Sequence, residues 1–186
     1  MLSRTVVCAA LSCVITACAS VDAAKYAPSV DNLQTLKSSG TVEARIKPFD
    51  APETNENPYP VHLRAARMHS PVGDSFGTYL SNAMEQEFAV AGDLSPNAKF
   101  EVSGVLLKND IDASGLSRGE GTISARFIVR RGSDAVYDSV KSATGSWESS
   151  FMGVVAINNA TAAYPQIVQT LLAKLYADPV FIKAIH

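Results

Sequence analysis

The run GTISARFIVRRGSDAVYDSVKSATGSW, Gly121 to Trp147, constrains the fold more than any other stretch. Ile123, Ala125, Phe127 and Val129 alternate with Thr122, Ser124, Arg126 and Arg130, which is the period of a strand with one buried face. Arg131 to Asp134 supplies a glycine-containing turn, so the run predicts two long antiparallel strands whose register the pattern alone leaves open. KFEVSGVLLKN, Lys99 to Asn109, sets Val102, Gly104 and Leu106 against Glu101, Ser103, Val105 and Leu107 and predicts a neighbouring strand. A sheet with one apolar face needs other elements to cover it.

Two amphipathic segments can provide the cover. In DSFGTYLSNAMEQEFAVAG, Phe76, Leu80, Ala83, Met84, Phe88 and Ala91 recur at steps of three or four, and only Glu87 interrupts the apolar stripe. Asp74 or Ser75 can cap the start of this helix, and Gly92 can stop it in a left-handed conformation. AINNATAAYPQIVQTLLAKLYADP carries a second stripe through Ile157, Ala160, Tyr164, Val168, Leu171 and Leu175. Pro165 removes an amide there and crowds the carbonyl of Thr161. That predicts a kink, or a helix beginning near Tyr164 with Pro165 in its first turn. Asp178-Pro179 ends the helix, and Val180 to Ile185 can add one short turn.

Nearer the N-terminus, Val42, Ala44 and Ile46 alternate in TVEARIKPF and predict a strand. DAPETNENPYP, Asp50 to Pro60, reads as a loop, and VHLRAARM, Val61 to Met68, as a second strand. Together the segments predict one α+β domain over residues 41–186. It is a mostly antiparallel sheet of four to five strands with two long helices packed on one face.

All three cysteines, Cys8, Cys13 and Cys18, lie in the first tenth of the chain. Arg4 precedes an almost wholly apolar run from Thr5 to Ile15. That run is well short of the about 20 residues a spanning helix needs, and it reads as an export signal. Ile15-Thr16-Ala17-Cys18 resembles the bacterial lipobox, with cleavage after residue 17 and acylation of Cys18. Ala10-Leu11-Ser12-Cys13 matches that pattern less well. Two or three acyl chains hold a protein to a membrane durably where one is marginal. Ala19, in place of an aspartate, resembles the sorting pattern for the outer membrane.

Cleavage leaves 169 residues with no second cysteine for a disulfide, so the core must hold the fold. A chain of this length buries roughly two thirds of its unfolded surface without a staple. Residues 18–40 read as the lipidated cysteine followed by a flexible tether, with Leu33 and Leu36 as candidate docking points. Without Arg4 the chain carries 15 basic and 18 acidic side chains, a formal charge of −3. This balance suggests neither a nucleic-acid partner nor polybasic lipid binding.

The chemistry-bearing motifs are incomplete. Gly73-Asp74-Ser75-Phe76 resembles the start of certain esterases, yet Asp178-Pro179-Val180-Phe181 stands where an Asp-x-x-His pair belongs, and Ser75 fits a helix cap better. Asp110-Ile111-Asp112 opens like a calcium loop but places Gly121 where the bidentate glutamate is required. His62, His69 and His186 have no dense acidic or cysteine set around them. Gly115, Gly119 and Gly121 read as serving the link between strands. No catalytic residue, metal or cofactor is assigned. Trp147, Phe151 and Tyr59, with Tyr137 behind them, are candidate partner contacts, and Trp147 could instead close one end of the core.

Taken together, the lipobox, the LSNAMEQEFAVAG helix, the long hairpin and the closing NNATAAYPQIVQTLLAKLYADPVFIKAI resemble the small YajG-like outer-membrane lipoproteins. More distantly, they resemble the auxiliary lipoproteins of envelope lipid transporters. The resemblance implies an α+β domain facing the periplasm and hung from the outer membrane, acting as a noncatalytic scaffold or accessory subunit beside an envelope protein partner. The alternative is a module that binds a lipid, glycan or peptidoglycan fragment, which requires an apolar cleft or a continuous groove.

Overall fold

The computed structural model describes residues 19–40 and 43–186. Cys18 and Val42 lie outside the described residues. In chain order the elements are β1 (Ala19–Asp22), α1 (Val30–Ser38), β2 (Ala44–Ile46), β3 (Val61–Leu63), β4 (Ala66–His69), α2 (Phe76–Ala91), β5 (Phe100–Asp112), β6 (Arg118–Arg131), β7 (Asp134–Glu148), α3 (Gly153–Tyr176) and α4 (Pro179–Ala184). They form two sheets, of order β2-β5-β6-β7 and β1-β4-β3. The fold is α+β, with antiparallel β5-β6, β6-β7 and β3-β4 pairs and parallel β2-β5 and β1-β4 pairs.

The hairpin of β6 and β7 closes through Gly132 and Ser133, with Arg131 opposite Asp134. Gly132 has φ of 61°, the left-handed geometry that two-residue hairpin turns use. Ile123, Ala125, Phe127 and Val129 are buried on one face. On the other face, exposed Arg126 pairs with Asp138, and the Ser124 hydroxyl bonds that of Ser142. On β5 the register shifts between Leu106 and Lys108, so Asn109 and Ile111 follow Val102 and Leu106 into the interior.

Helices α2 and α3 cover the apolar face, α2 over β5 and β2 and α3 over β7 and β6. Gly121 and Gly145 are cross-strand partners. A Cβ on either would lie 2.7–2.8 Å from Ile167 of α3. Gly121 and Gly145 therefore make room for Ile167 of the cover, and Gly119, inside β6, for the ring of its cross-strand partner Trp147, rather than merely serving a link. The Ser75 hydroxyl accepts from the amides of Gly77 and Thr78 at the start of α2, and Gly92 ends it with φ of 90°.

VHLRAARM is a hairpin rather than one strand, because Arg64, with φ of 52°, turns the chain between β3 and β4. The last helix does not begin near Tyr164, since α3 runs continuously through Pro165 from Gly153 to Tyr176. The carbonyl of Thr161, which proline leaves without its helical donor, accepts from the Ala24 amide at 3.1 Å. A segment distant in sequence thus supplies the hydrogen bond that the proline removes.

That segment overturns the expectation of a tether at 18–40. Over the described residues 19–40 the chain forms β1 and α1 and joins the core, with Ala23, Tyr26 and Leu36 buried. Ala23 donates to the His69 carbonyl, Gln169 donates to the carbonyl of Ala27, and Asn32 donates to that of Gln169. Glu87 is fully buried at the centre of these contacts. Its Oε1 accepts from the Tyr26 hydroxyl at 2.6 Å, the Asn32 amide group at 3.0 Å and the Ser29 backbone amide at 3.1 Å. Burial first, and then the Glu87 charge, raise the Tyr26 hydroxyl well above its ordinary pKa. The residue that interrupts the α2 stripe is thus the receptor for α1.

At the far end of α3, Asp178 caps α4 through the Val180 amide at 2.8 Å and accepts from Lys141 Nζ at 2.6 Å and the Tyr137 hydroxyl at 2.9 Å. The Lys141 bond, aided by those from Val180 and Tyr137, holds its carboxyl at a pKa of about 2. A folded-state pKa below the ordinary carboxylate value stabilises the fold above that value and loses this contribution as pH falls. Asp178→Asn should therefore cost about 2 kcal/mol at neutral pH, and this difference should fade between about pH 5 and pH 2. Urea melts of both proteins across that range are the test. A pH-independent difference would assign the cost to the cap alone.

Candidate functional site

Eleven large apolar side chains are exposed among the described residues, and five of them, Leu116, Phe151, Met152, Val154 and Val155, flank one pole of the molecule. The turn residue Arg64 organises this pole. Its guanidinium donates to the carbonyls of Ala113 at 2.6 Å, Gly115 at 2.9 Å and Phe151 at 3.5 Å. The Ser149 amide donates to the Ser117 carbonyl at 2.9 Å. Loop 113–117 and the β7–α3 connection are therefore side by side.

The predicted contact residues fall into different environments. Phe151 is 83% exposed. Trp147 is half-buried and packs against the core, its ring over Gly119, so it closes the sheet beneath this pole. Tyr59 is half-buried, edge-on to His69 at 5.6 Å and Phe76 at 5.9 Å. Tyr137 is buried against Phe181. Arg64, Leu116 and Met152 were not singled out in the sequence. Only the burial pattern around a turn that sequence reads as mid-strand brings them together.

The motifs with catalytic rhythm take structural roles. Ser75 Oγ faces helix amides, whereas His186 Nε2 is 2.9 Å from the Ser39 carbonyl. Asp112 accepts from the Ser114 amide at 2.7 Å, and the Ser114 side chain first, then this amide, lower its pKa. Among the described residues no group of three or more His, Cys, Asp or Glu side chains could hold a metal ion. Burial raises the hydroxyl pKa values of Tyr164 and Tyr176 well above their ordinary value, which keeps them neutral and makes them poor acids. An open cleft of about 400 Å³ is lined by Glu56, His62, Lys108 and Asp110 together with Val61 and Ile111. No helix among the described residues is long and apolar enough to cross a membrane.

What these features define is an α+β domain with a filled core, an open sheet face and one apolar pole. The same fold occurs in protein XCC0632 from Xanthomonas campestris, of the DUF330 family, at a TM-score of 0.56 and 13% identity over 88% of this chain and 96% of that one. It also occurs in the hypothetical protein CT253 from Chlamydia trachomatis, at a TM-score of 0.51 and 14% identity over 78% of this chain and 99% of that one. No protein-family model and no curated protein matches the sequence.

Proposed function

We propose that this chain is a bacterial lipoprotein, anchored to the outer membrane through acyl chains on Cys18, that serves as a noncatalytic scaffold or accessory subunit of an envelope protein complex. The observation that carries this reading is Ile15-Thr16-Ala17-Cys18 at the end of a short apolar run. The anchor would act by placement, since confinement to one surface raises the effective concentration of the domain near a membrane partner. A YajG-like role is the form of this reading that the order of elements supports.

The alternative, a module sheltering a lipid or glycan, calls for a continuous surface groove or an apolar cleft between sheet and helices. Phe76, Tyr79, Phe88, Phe127 and Tyr164 instead fill that space and are each at most 2% exposed. Phe76 and Tyr164 are in ring contact at 4.8 Å, and Tyr79 and Tyr164 at 5.3 Å. This favours the accessory role.

Cys18→Ser is the test. The variant should lose acyl label completely and move from the membrane fraction to the soluble periplasmic fraction. Undiminished labelling would end the assignment to Cys18. Crosslinking of the acylated protein in intact cells should then capture a reproducible envelope protein. Capture of lipid or glycan alone would favour the alternative.

A further inference from the structure

We propose that the apolar pole formed by Leu116, Phe151, Met152, Val154 and Val155 sits in the interfacial layer of the phospholipid bilayer that holds Cys18. The inference rests on the acylation reading above and adds an orientation and a lipid-contact surface to it.

Two independent rulers put the start of the described chain at this pole. Ala19 pairs with Ala66 in the β1-β4 ladder, two residues from Arg64, whose guanidinium bonds the Gly115 and Phe151 carbonyls. Separately, the N-terminal segment runs alongside α3 in the same direction. The Ala24 amide bonds the Thr161 carbonyl, and the Ala27 carbonyl accepts from Gln169. Five extended residues back from Ala24 to Ala19 cover about 16 Å, while α3 from Thr161 back to Gly153 covers about 12 Å. Both rulers end beside the β7–α3 connection.

There is also no slack. β1 begins at Ala19, one peptide unit and about 3.8 Å between Cα atoms beyond the acylated residue. Whatever surrounds Ala19 therefore comes to rest at the membrane surface. The exposed apolar side chains at this end of the molecule are Phe151 at 83%, Leu116 at 68%, and Met152 and Val154 each at 61% exposure. A cluster of this kind marks a contact surface, and a bilayer interface accepts such side chains to a depth of about 5–10 Å. The opposite pole, with α4 and the Gly132 turn, and the open sheet face remain accessible to protein partners.

Trp147 is the only tryptophan, so a single reporter can be moved. Two acylated proteins are compared on phosphatidylethanolamine–phosphatidylglycerol vesicles with brominated acyl chains. One carries Trp147→Phe with Phe151→Trp. The other carries Trp147→Phe with Val180→Trp, at an exposed site beyond the far end of α3, about 36 Å from its start. Bromine should remove about half of the emission from position 151 and less than about a tenth from position 180.

Equal, weak quenching at both sites on protein that floats with the vesicles would overturn the proposal. So would a blue-shifted, unquenched tryptophan at 151, which would mean that a second copy or a partner protein covers the pole. Failure of the acylation reading shows separately, as missing acyl mass and protein that does not float. The quenching is then read on the same chains coupled through the Cys18 thiol to a maleimide phospholipid. Should Trp147→Phe perturb the fold, amide exchange over 149–155 in the unsubstituted acylated chain should slow about tenfold on vesicles relative to Cys18→Ser protein in solution. Unchanged exchange would equally overturn the proposal.

Discussion

Glu87→Ala should lower the free energy of unfolding by about 3–5 kcal/mol, because it strands two buried donors and one part-buried donor at once. The Tyr26 hydroxyl, the Asn32 side-chain amide and the Ser29 backbone amide all converge on Oε1, and Glu87 itself has no exposure. Glu87→Gln keeps a carbonyl oxygen at that point and puts an NH₂ in place of Oε2, which accepts from Asn32 at 3.3 Å. Its expected cost is about 1 kcal/mol. Urea denaturation of the two variants measures the difference. Nearly equal costs would show that packing of the side chain, rather than its acceptor oxygen, anchors α1. Amide exchange should locate the loss, with α1 opening before the β6-β7 hairpin in Glu87→Ala.

Removal of residues 19–38 should abolish cooperative unfolding altogether. Truncating buried Leu36 to alanine would alone cost about 2–5 kcal/mol. Deletion removes Leu36, Tyr26 and Ala23 together, along with the three donors to Glu87 and the Ala24 amide that satisfies Thr161. The sum reaches the whole stability of an ordinary domain, about 5–15 kcal/mol. A soluble chain beginning at Ser39 should show no sharp thermal transition and should bind a hydrophobic dye. A cooperative melt within a few degrees of that of the chain beginning at Ala19 would refute the structural role of the segment.

This second expectation is also where sequence reasoning departs most from the structure. Residues 19–40 make their contacts with a few scattered side chains, Ala23, Tyr26, Asn32 and Leu36, and with backbone groups. Neither leaves a period of two or of 3.6, so periodicity analysis reads a tether. Leu36 was one of two residues marked as a docking point, and it is fully buried. Asn32 and Glu87, both polar, carry the decisive bonds. A pattern search weighted toward apolar residues passes over that kind of signal.

The candidate site divides in the same way. Phe151 was legible as a large apolar residue in a connection between elements, and it is exposed. Leu116 lies in a different loop, and Arg64 lies within what sequence reads as a strand. Their proximity depends on the β3-β4 turn and on bonds from Arg64 to residues about fifty and ninety positions away in sequence.

By itself the sequence determined the α+β class, the inward faces of β6 and of β5 as far as Leu106, the limits of α2 with a cap at Asp74 or Ser75 and a stop at Gly92, and the sequence of elements from β5 to α4. Those features are local. They depend on side-chain alternation, helical spacing and capping chemistry within about 25 residues, which are forces that act between neighbours along the chain. Tertiary structure alone decided that α3 continues through Pro165, that the chain after residue 18 is core, and that Gly121 and Gly145 admit Ile167. It also paired Ala19 with the strand whose turn residue, Arg64, bonds the apolar pole. Each of these needs a partner supplied from far away, the Ala24 amide for Thr161 or the Glu87 carboxylate for Asn32, and no local pattern records a hydrogen bond whose two ends are more than fifty residues apart.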